Sequence, residues 1–269
     1  MKDTFNHAIV RTPGANFADG LTTVSLGTPD FATVLQQHAA YCEALEECGL
    51  TLTTLPADLH HPDSTFVEDT AVLTEDLAVL TRPGAHPRAG EVESIRSTIA
   101  AFYPKPHQIE APGTLDGGDI CEAGSHFFIG VSHRTNPEGA RQLAALLAPH
   151  GYTSSIIDVR QMTTILHLKS GIAYIGDNTL VVMEEMAANE QFRNYQRIVV
   201  PARDTYAANC VRVNDRVLIA AGFPQLAADL TQRGFHPLVL DMSEFQKMDG
   251  GLSCLSLRFH AGKDEAALP

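Results

Sequence analysis

A β-β-α-β order recurs five times along this chain, and such a repeat constrains the fold more than any single motif. Helices mark it most clearly. Thr28 can cap a helix over 29–48, with Phe31, Val34, Leu35, Tyr41, Cys42 and Leu45 as its apolar stripe and Gly49 as its stop. Helical patterns follow over 87–103, 137–150, a weaker 184–195, and 224–233. A β-like run follows each helix, at 50–55, 107–110, 152–159, 197–200 and 235–241. Two more precede each, at 8–11 with 17–22, 66–73 with 77–82, 119–122 with 126–131, 172–175 with 179–183, and 210–213 with 217–221. The period is roughly 40 to 55 residues, the spacing of a stacked or closed array. A last run at 252–258 has no helix after it, whereas the first unit has few residues before its own, so the C-terminal strand is expected to complete the first unit. The expectation is one α/β domain over 1–259, a five-unit pseudo-symmetric α/β propeller of ββαβ repeats, with 260–269 as a frayed tail. An open doubly wound sheet is the alternative, but no G-x-G-x-x-G follows a strand.

Closing five equivalent units into a ring brings residues at matching phase onto one axis. At the turn after each post-helical strand stand Asp63, Asp116, His167, Asn209 and Cys254, separated by 53, 51, 42 and 45 residues, which matches the structural period. A thiol, an imidazole and carboxylates in one cleft suit nucleophilic catalysis: a thiolate attacks an electrophilic carbon, a histidine moves protons, and an acid orients the ring. A buried strand thiol is the plainer reading of Cys254 alone, and a satisfied core histidine that of His167 between two leucines. Cys42 and Cys48 fall in a helix and Cys121 and Cys210 in strands, where packing is the expected role. No CxxC or HExxH spacing marks a metal site, so none is expected, and no cofactor motif is found.

Glu68 and Asp69 sit in an otherwise apolar run, where adjacent carboxylates need a cation to balance them unless they alternate outward to solvent. Arg82, Arg88 and Arg134 precede helices and can grip an anion through forked donors or make surface salt bridges. Of Asp116 and Asp119, which flank Gly117 and Gly118, one can serve only turn hydrogen bonds. With 19 basic against 32 acidic residues the net charge is −13, which disfavours nucleic-acid and acidic-membrane partners and suits a small cationic substrate. No apolar run approaches a transmembrane span, and the odd number of unpaired cysteines gives no disulfide framework; a cytoplasmic protein is expected. A homodimer is left open.

The segments RTPGANFADGLT, HPDSTFVED, TRPGAHPRAGE, APGTLDGGDI, SHRTNPEGAR, LHLKSG, YAANC and KMDGGLSCLSLRF, in that order, resemble those of the dimethylarginine dimethylaminohydrolases of the guanidino-group-modifying superfamily. The resemblance spans nearly the whole chain, from Ala8 to Phe259, and implies a five-unit α/β propeller. It implies Cys254 as nucleophile, His167 as general acid/base and Asp116 as the acid beside it, where some relatives carry Glu. Asp63, Glu68 and Asp69 would hold the guanidinium, Arg88 and Arg134 the amino-acid carboxylate, and Leu21 would lie on a loop closing over the site. The implied reaction turns methylated arginines into citrulline and methylamines through a cysteine thiouronium, without a cofactor. Arginine deiminase or a related arginine hydrolase is the nearest alternative, a cysteine protease is a more distant one, and a non-catalytic binding protein on the same propeller comes from a different class.

Overall fold

The computed structural model describes residues 4–262, and in it fifteen strands form five three-stranded sheets. In chain order these are β1 His7–Arg11, α1 Phe31–Glu47, β2 Thr51–Leu55; β3 Ala71–Leu73, β4 Ala78–Leu80, α2 Glu91–Phe102, β5 His107–Gln108; β6 Ile120–Ala123, β7 His126–Val131, α3 Pro137–Leu147, β8 Thr153–Asp158; β9 Ile172–Tyr174, β10 Thr179–Met183, β11 Gln196–Val200; β12 Val211–Val213, β13 Arg216–Ala220, α4 Pro224–Gln232, β14 His236–Leu240; then α5 Ser243–Gln246 and β15 Leu257–Phe259. Every sheet repeats one pattern: the first strand pairs antiparallel with the second, and the second runs parallel to the strand beyond the crossover. The missing strand of the first unit is β15, which pairs antiparallel with β1, His7 opposite Phe259, while β1 pairs parallel with β2. This is the ring closure the repeat predicted.

Side chains alternate across a strand, and here both faces of the middle strands are buried. Ala8 and Val10 of β1 enter one apolar cluster and Ile9 the next; Val217 and Ile219 of β13 enter one, Leu218 and Ala220 another. Each sheet thus packs against both neighbours, which explains why runs such as LVVM, residues 180–183, are continuously apolar instead of alternating.

Four local expectations differ from the structure. Residues 17–22 form a 3-10 turn, Phe17–Asp19, and a loop, because the place beside β1 is taken by β15. Residues 67–70 form a 3-10 turn before β3, so Glu68 and Asp69 are not in a strand. The fourth unit has two 3-10 turns, Glu184–Met186 and Glu190–Phe192, in place of a helix; the Asn189 side chain accepts from the Gln191 amide and starts the second turn afresh. Helix α1 begins at Phe31 because Asp30, not Thr28, caps it, accepting from the Thr33 amide at 2.8 Å. Of the expected tail, residues 263–269 lie outside the described residues, while Ala261 is buried and its amide donates to Asn6 Oδ1 at 2.7 Å.

Candidate active site

The connection entering the first strand of each sheet ends in a 3-10 turn, and these turns touch in a ring. Val67–Thr70 packs on Gly117–Asp119, that turn on Leu168–Ser170, that one on Ala202–Ala208, and Ser253–Leu255 returns to Val67–Thr70. The remaining gap is bridged by Asn209, whose Oδ1 accepts from the Ser253 amide at 3.1 Å and whose Nδ2 donates to Ser253 Oγ at 3.3 Å. Asp116 and His167 immediately precede their turns, Asn209 follows its own, and Cys254 lies inside Ser253–Leu255. Asp63 is out of phase. It sits one turn upstream, in Pro62–Thr65, and the in-phase turn of its unit carries Glu68 and Asp69.

His167 is 6% exposed and its Nε2 donates to Oδ2 of Asp116, fully buried, at 3.0 Å. Asp116 is fixed in turn by the Gly84 amide on Oδ1 at 2.8 Å. The other ring nitrogen faces Gly118, where an added Cβ would lie 2.8 Å from Nδ1 and 2.9 Å from Asp69 Oδ1. Gly118 is therefore required by close approach, not by turn geometry. Burial opposes charge on the imidazole, but the carboxylates of Asp69, Asp119 and Asp116 outweigh it and raise its pKa to about 9. Burial pushes the Cys254 thiol the opposite way from a reactive thiolate, up to about 12, and the charges of Glu68 and Asp69 add to it. Asp69 acts on both groups. At neutral pH the pair is thus imidazolium and neutral thiol.

The two arginines expected to hold an anion differ. Arg88 is buried in the protein's own acids: Nη1 donates to Asp69 Oδ2 at 2.5 Å, Nε to Glu91 at 3.0 Å, and Nη2 to Glu91 Oε2 at 2.7 Å and to the Phe66 carbonyl at 3.2 Å. Those carboxylates outweigh the effect of burial and hold its pKa well above the ordinary range. The Arg88 fork, expected on the substrate carboxylate, is here engaged by Asp69 and Glu91. Arg134 keeps the open character: its side chain is 15% exposed, Nη1 is buried without a hydrogen-bond partner, and Asp116 Oδ2 is 4.0 Å away.

The cation demanded by Glu68 and Asp69 is likewise supplied internally. Glu68 pairs with Lys169 and accepts from Ser253 Oγ at 2.9 Å; Asp69 has Arg88 and the Gly118 amide, at 2.8 Å. Burial raises the Asp69 pKa, but Arg88 and His167 dominate and hold it at about 2. Lys169 and Glu91 escaped the sequence reading. Glu91, three residues after Arg88 on a helix entry, was findable from its spacing, whereas nothing local pairs Lys169 with Glu68. Asp69, Asp116 and His167 bring donor atoms within 4.8 Å of one another, but the imidazolium and Arg88 already balance the acids.

Asp63 takes the Leu21 amide on both oxygens, at 3.2 and 3.1 Å. Thr23 is latched to Asp249 through its amide at 2.5 Å and its hydroxyl at 3.1 Å, and the Asp30 amide donates to Glu244 at 2.6 Å. The loop carrying Leu21 is thus tied to the segment that leads into Cys254. A cavity of about 170 Å³ is lined by Glu68, Lys169, Ser253 and Arg258 but not by Cys254, His167 or Asp116, so it adjoins this cluster through Glu68 and Ser253.

Comparison with known proteins adds a second line of support. The sequence model of the arginine deiminase family matches residues 61–217. The chain is 46% identical to N(G),N(G)-dimethylarginine dimethylaminohydrolase of Pseudomonas aeruginosa over 95% of this chain and all of the relative. The structure of that bacterium's enzyme as a cysteine-to-serine mutant complexed with citrulline superposes with a TM-score of 0.92 at 46% identity, covering 95% of this chain and 100% of the other. A histidine-to-glycine dimethylarginine dimethylaminohydrolase forming an adduct with S-methyl-L-thiocitrulline matches equally, at 0.92 and 46% over the same shares.

Proposed function

This chain belongs to the arginine deiminase family and, within it, to the dimethylarginine dimethylaminohydrolases, and from that premise we propose that it hydrolyses asymmetric dimethylarginine and monomethylarginine to citrulline and the methylamine. The observation that carries the reading is His167, 3.0 Å from the buried Asp116 carboxylate, on the same hub ring as Cys254.

The resting charges suit the reaction order. The guanidinium arrives beside Glu68 and Asp69, whose carboxylates have acceptor sites left after their three and two protein partners. Its positive charge favours thiolate at Cys254, and the thiol proton passes to solvent. The sulfur attacks the guanidinium carbon and forms the C–S bond. His167 donates its Nδ1 proton to the substituted nitrogen, the C–N bond breaks, and neutral dimethylamine leaves a thiouronium. The neutral imidazole then takes a proton from water, and the hydroxide adds to the thiouronium carbon. The C–S bond breaks, the added hydroxyl's proton goes to sulfur, and citrulline, thiol and imidazolium remain. Substrate and water supply every atom, so no cofactor enters.

Arg134, with its unpaired Nη1, is the proposed receiver of the substrate carboxylate; Arg88 acts behind it by orienting Asp69. The Leu21 loop, held by Asp63 and Asp249, covers the bound amino acid and keeps bulk water from the thiouronium. All five cysteines are free, which suits a reducing compartment, and the cytoplasm is part of the proposal. Among the described residues no helix is long and apolar enough to cross a membrane.

The test is incubation of purified protein with matched asymmetric dimethylarginine, monomethylarginine and arginine, with citrulline and each amine measured. Citrulline with stoichiometric dimethylamine is expected. Preferential release of ammonia from arginine would favour the deiminase reading, and no citrulline from any of the three would end both.

A further inference from the structure

Asp119 is a fully buried carboxylate beside the site that the reaction scheme leaves without a task. Its two oxygens bond in different directions. Oδ1 accepts from the Leu168 amide, the peptide next to His167, at 2.9 Å. Oδ2 accepts from Ser132 Oγ at 2.6 Å. Ser132 Oγ in turn accepts from the Arg134 and Thr135 amides at 3.0 and 3.1 Å, and Thr135 Oγ1 accepts from the Asp116 amide at 3.0 Å. One carboxylate therefore joins the backbone that carries His167, the backbone that carries Arg134 and, through Thr135, the backbone of Asp116. There is no slack around it: a Cβ on Gly130 would lie 2.9 Å from Asp119 Oδ1 and 2.8 Å from Leu168 Cβ.

We propose that Asp119 is a positioning residue for the hydrolysis, fixing His167 against Asp116 and Arg134 through Leu168 and Ser132. The inference rests on the function proposed above and adds to it a residue that touches neither substrate nor the reacting atoms. Turn chemistry alone does not account for Asp119, since both of its bonds leave its own turn for other segments of the chain. The charged neighbours agree. Around His167 stand Asp69 and Asp116 besides Asp119, with Arg88 beyond Asp69 and Arg134 beyond Asp116. Burial raises the Asp119 pKa to about 6, with His167 and the hydroxyls of Ser132 and Thr135 opposing, so the charge is present through neutral pH and is lost as pH falls through that value.

Two variants separate anchoring from charge. Asp119→Asn keeps the shape but removes the charge and at least one of its hydrogen bonds, because the Leu168 amide only donates and Ser132 Oγ, which already accepts from two amides, cannot take a further donor. Ser132→Ala removes one anchor and leaves the charge. We expect Asp119→Asn to lower kcat by roughly tenfold to a hundredfold with KM changed less than about threefold, as for a displaced proton donor with intact binding. The His167 imidazole, followed by NMR in the absence of substrate, should titrate about one pH unit lower than in the parent. Ser132→Ala should lower kcat severalfold and leave that titration in place. Wild-type kcat and an unmoved imidazole titration in a folded Asp119→Asn protein would overturn the inference. Should Asp119→Asn fail to fold, wild-type kcat in Ser132→Ala would overturn the anchoring role. The NMR titration keeps the two readings apart: a parent protein without methylarginine hydrolysis refutes the function, whereas an active parent whose imidazole ignores Asp119 refutes only the inference.

Discussion

Replacing His167 by Asn should flatten the alkaline part of the stability profile. The imidazole moves from an ordinary value of 6.5 to about 9 on folding, since Asp69, Asp119 and Asp116 outweigh the burial that opposes its charge. Each tenfold in proton affinity corresponds to about 1.4 kcal/mol, so the native surroundings favour the imidazolium by roughly 3 kcal/mol relative to the unfolded chain. Because the folded value is the raised one, this contribution is complete below pH 6.5 and disappears as pH rises through about 9. Urea unfolding of the parent between pH 6.5 and 10 should show a fall of that order that the Asn variant lacks, after subtraction of the titrations the two share. The same proton is the one given to the leaving amine, so kcat should decline above about pH 9 in the parent. Parallel stability profiles for parent and variant would refute the account, because they would mean that His167 binds no extra proton on folding.

Cys254→Ser should abolish citrulline formation with the circular dichroism spectrum unchanged; turnover near that of the parent would remove the thiol from the reaction. Arg88→Met should cost about 3–5 kcal/mol in denaturant unfolding, because it strands the buried carboxylates of Asp69 and Glu91. Arg134→Met should cost less than about 1 kcal/mol, since its nearest acid is 4.0 Å away, yet raise KM at least tenfold; equal stability losses for the two would contradict the assigned difference. Asp249→Ala should release Thr23 and increase protease nicking within residues 20–30 while secondary structure stays intact; a nicking rate unchanged from the parent would argue against the latch.

Much of this architecture was legible in the amino-acid order because its signals are local. Apolar periodicity, Pro at helix entries and Gly at their ends outline four of the five crossovers, and the surplus strand at the C-terminus announces the closure with β1. Equal spacing then puts Asp116, His167, Asn209 and Cys254 on one hub, because structural equivalence converts sequence distance into angle around an axis. Charge partners followed no such rule. An acid buried at the hub must find a cation or an N–H group, but which one depends on what neighbouring units bring within a few ångströms. Thus Glu68 and Asp69, expected to wait for a ligand cation, meet Lys169 and Arg88, and the Arg88 fork, expected on an incoming carboxylate, meets Glu91. The same long-range demand turned 67–70 from strand to 3-10 turn and gave Asp119 bonds to Leu168 and Ser132 beyond its turn. Periodicity encodes which face of a segment is buried; only the closed ring decides which charges are buried together.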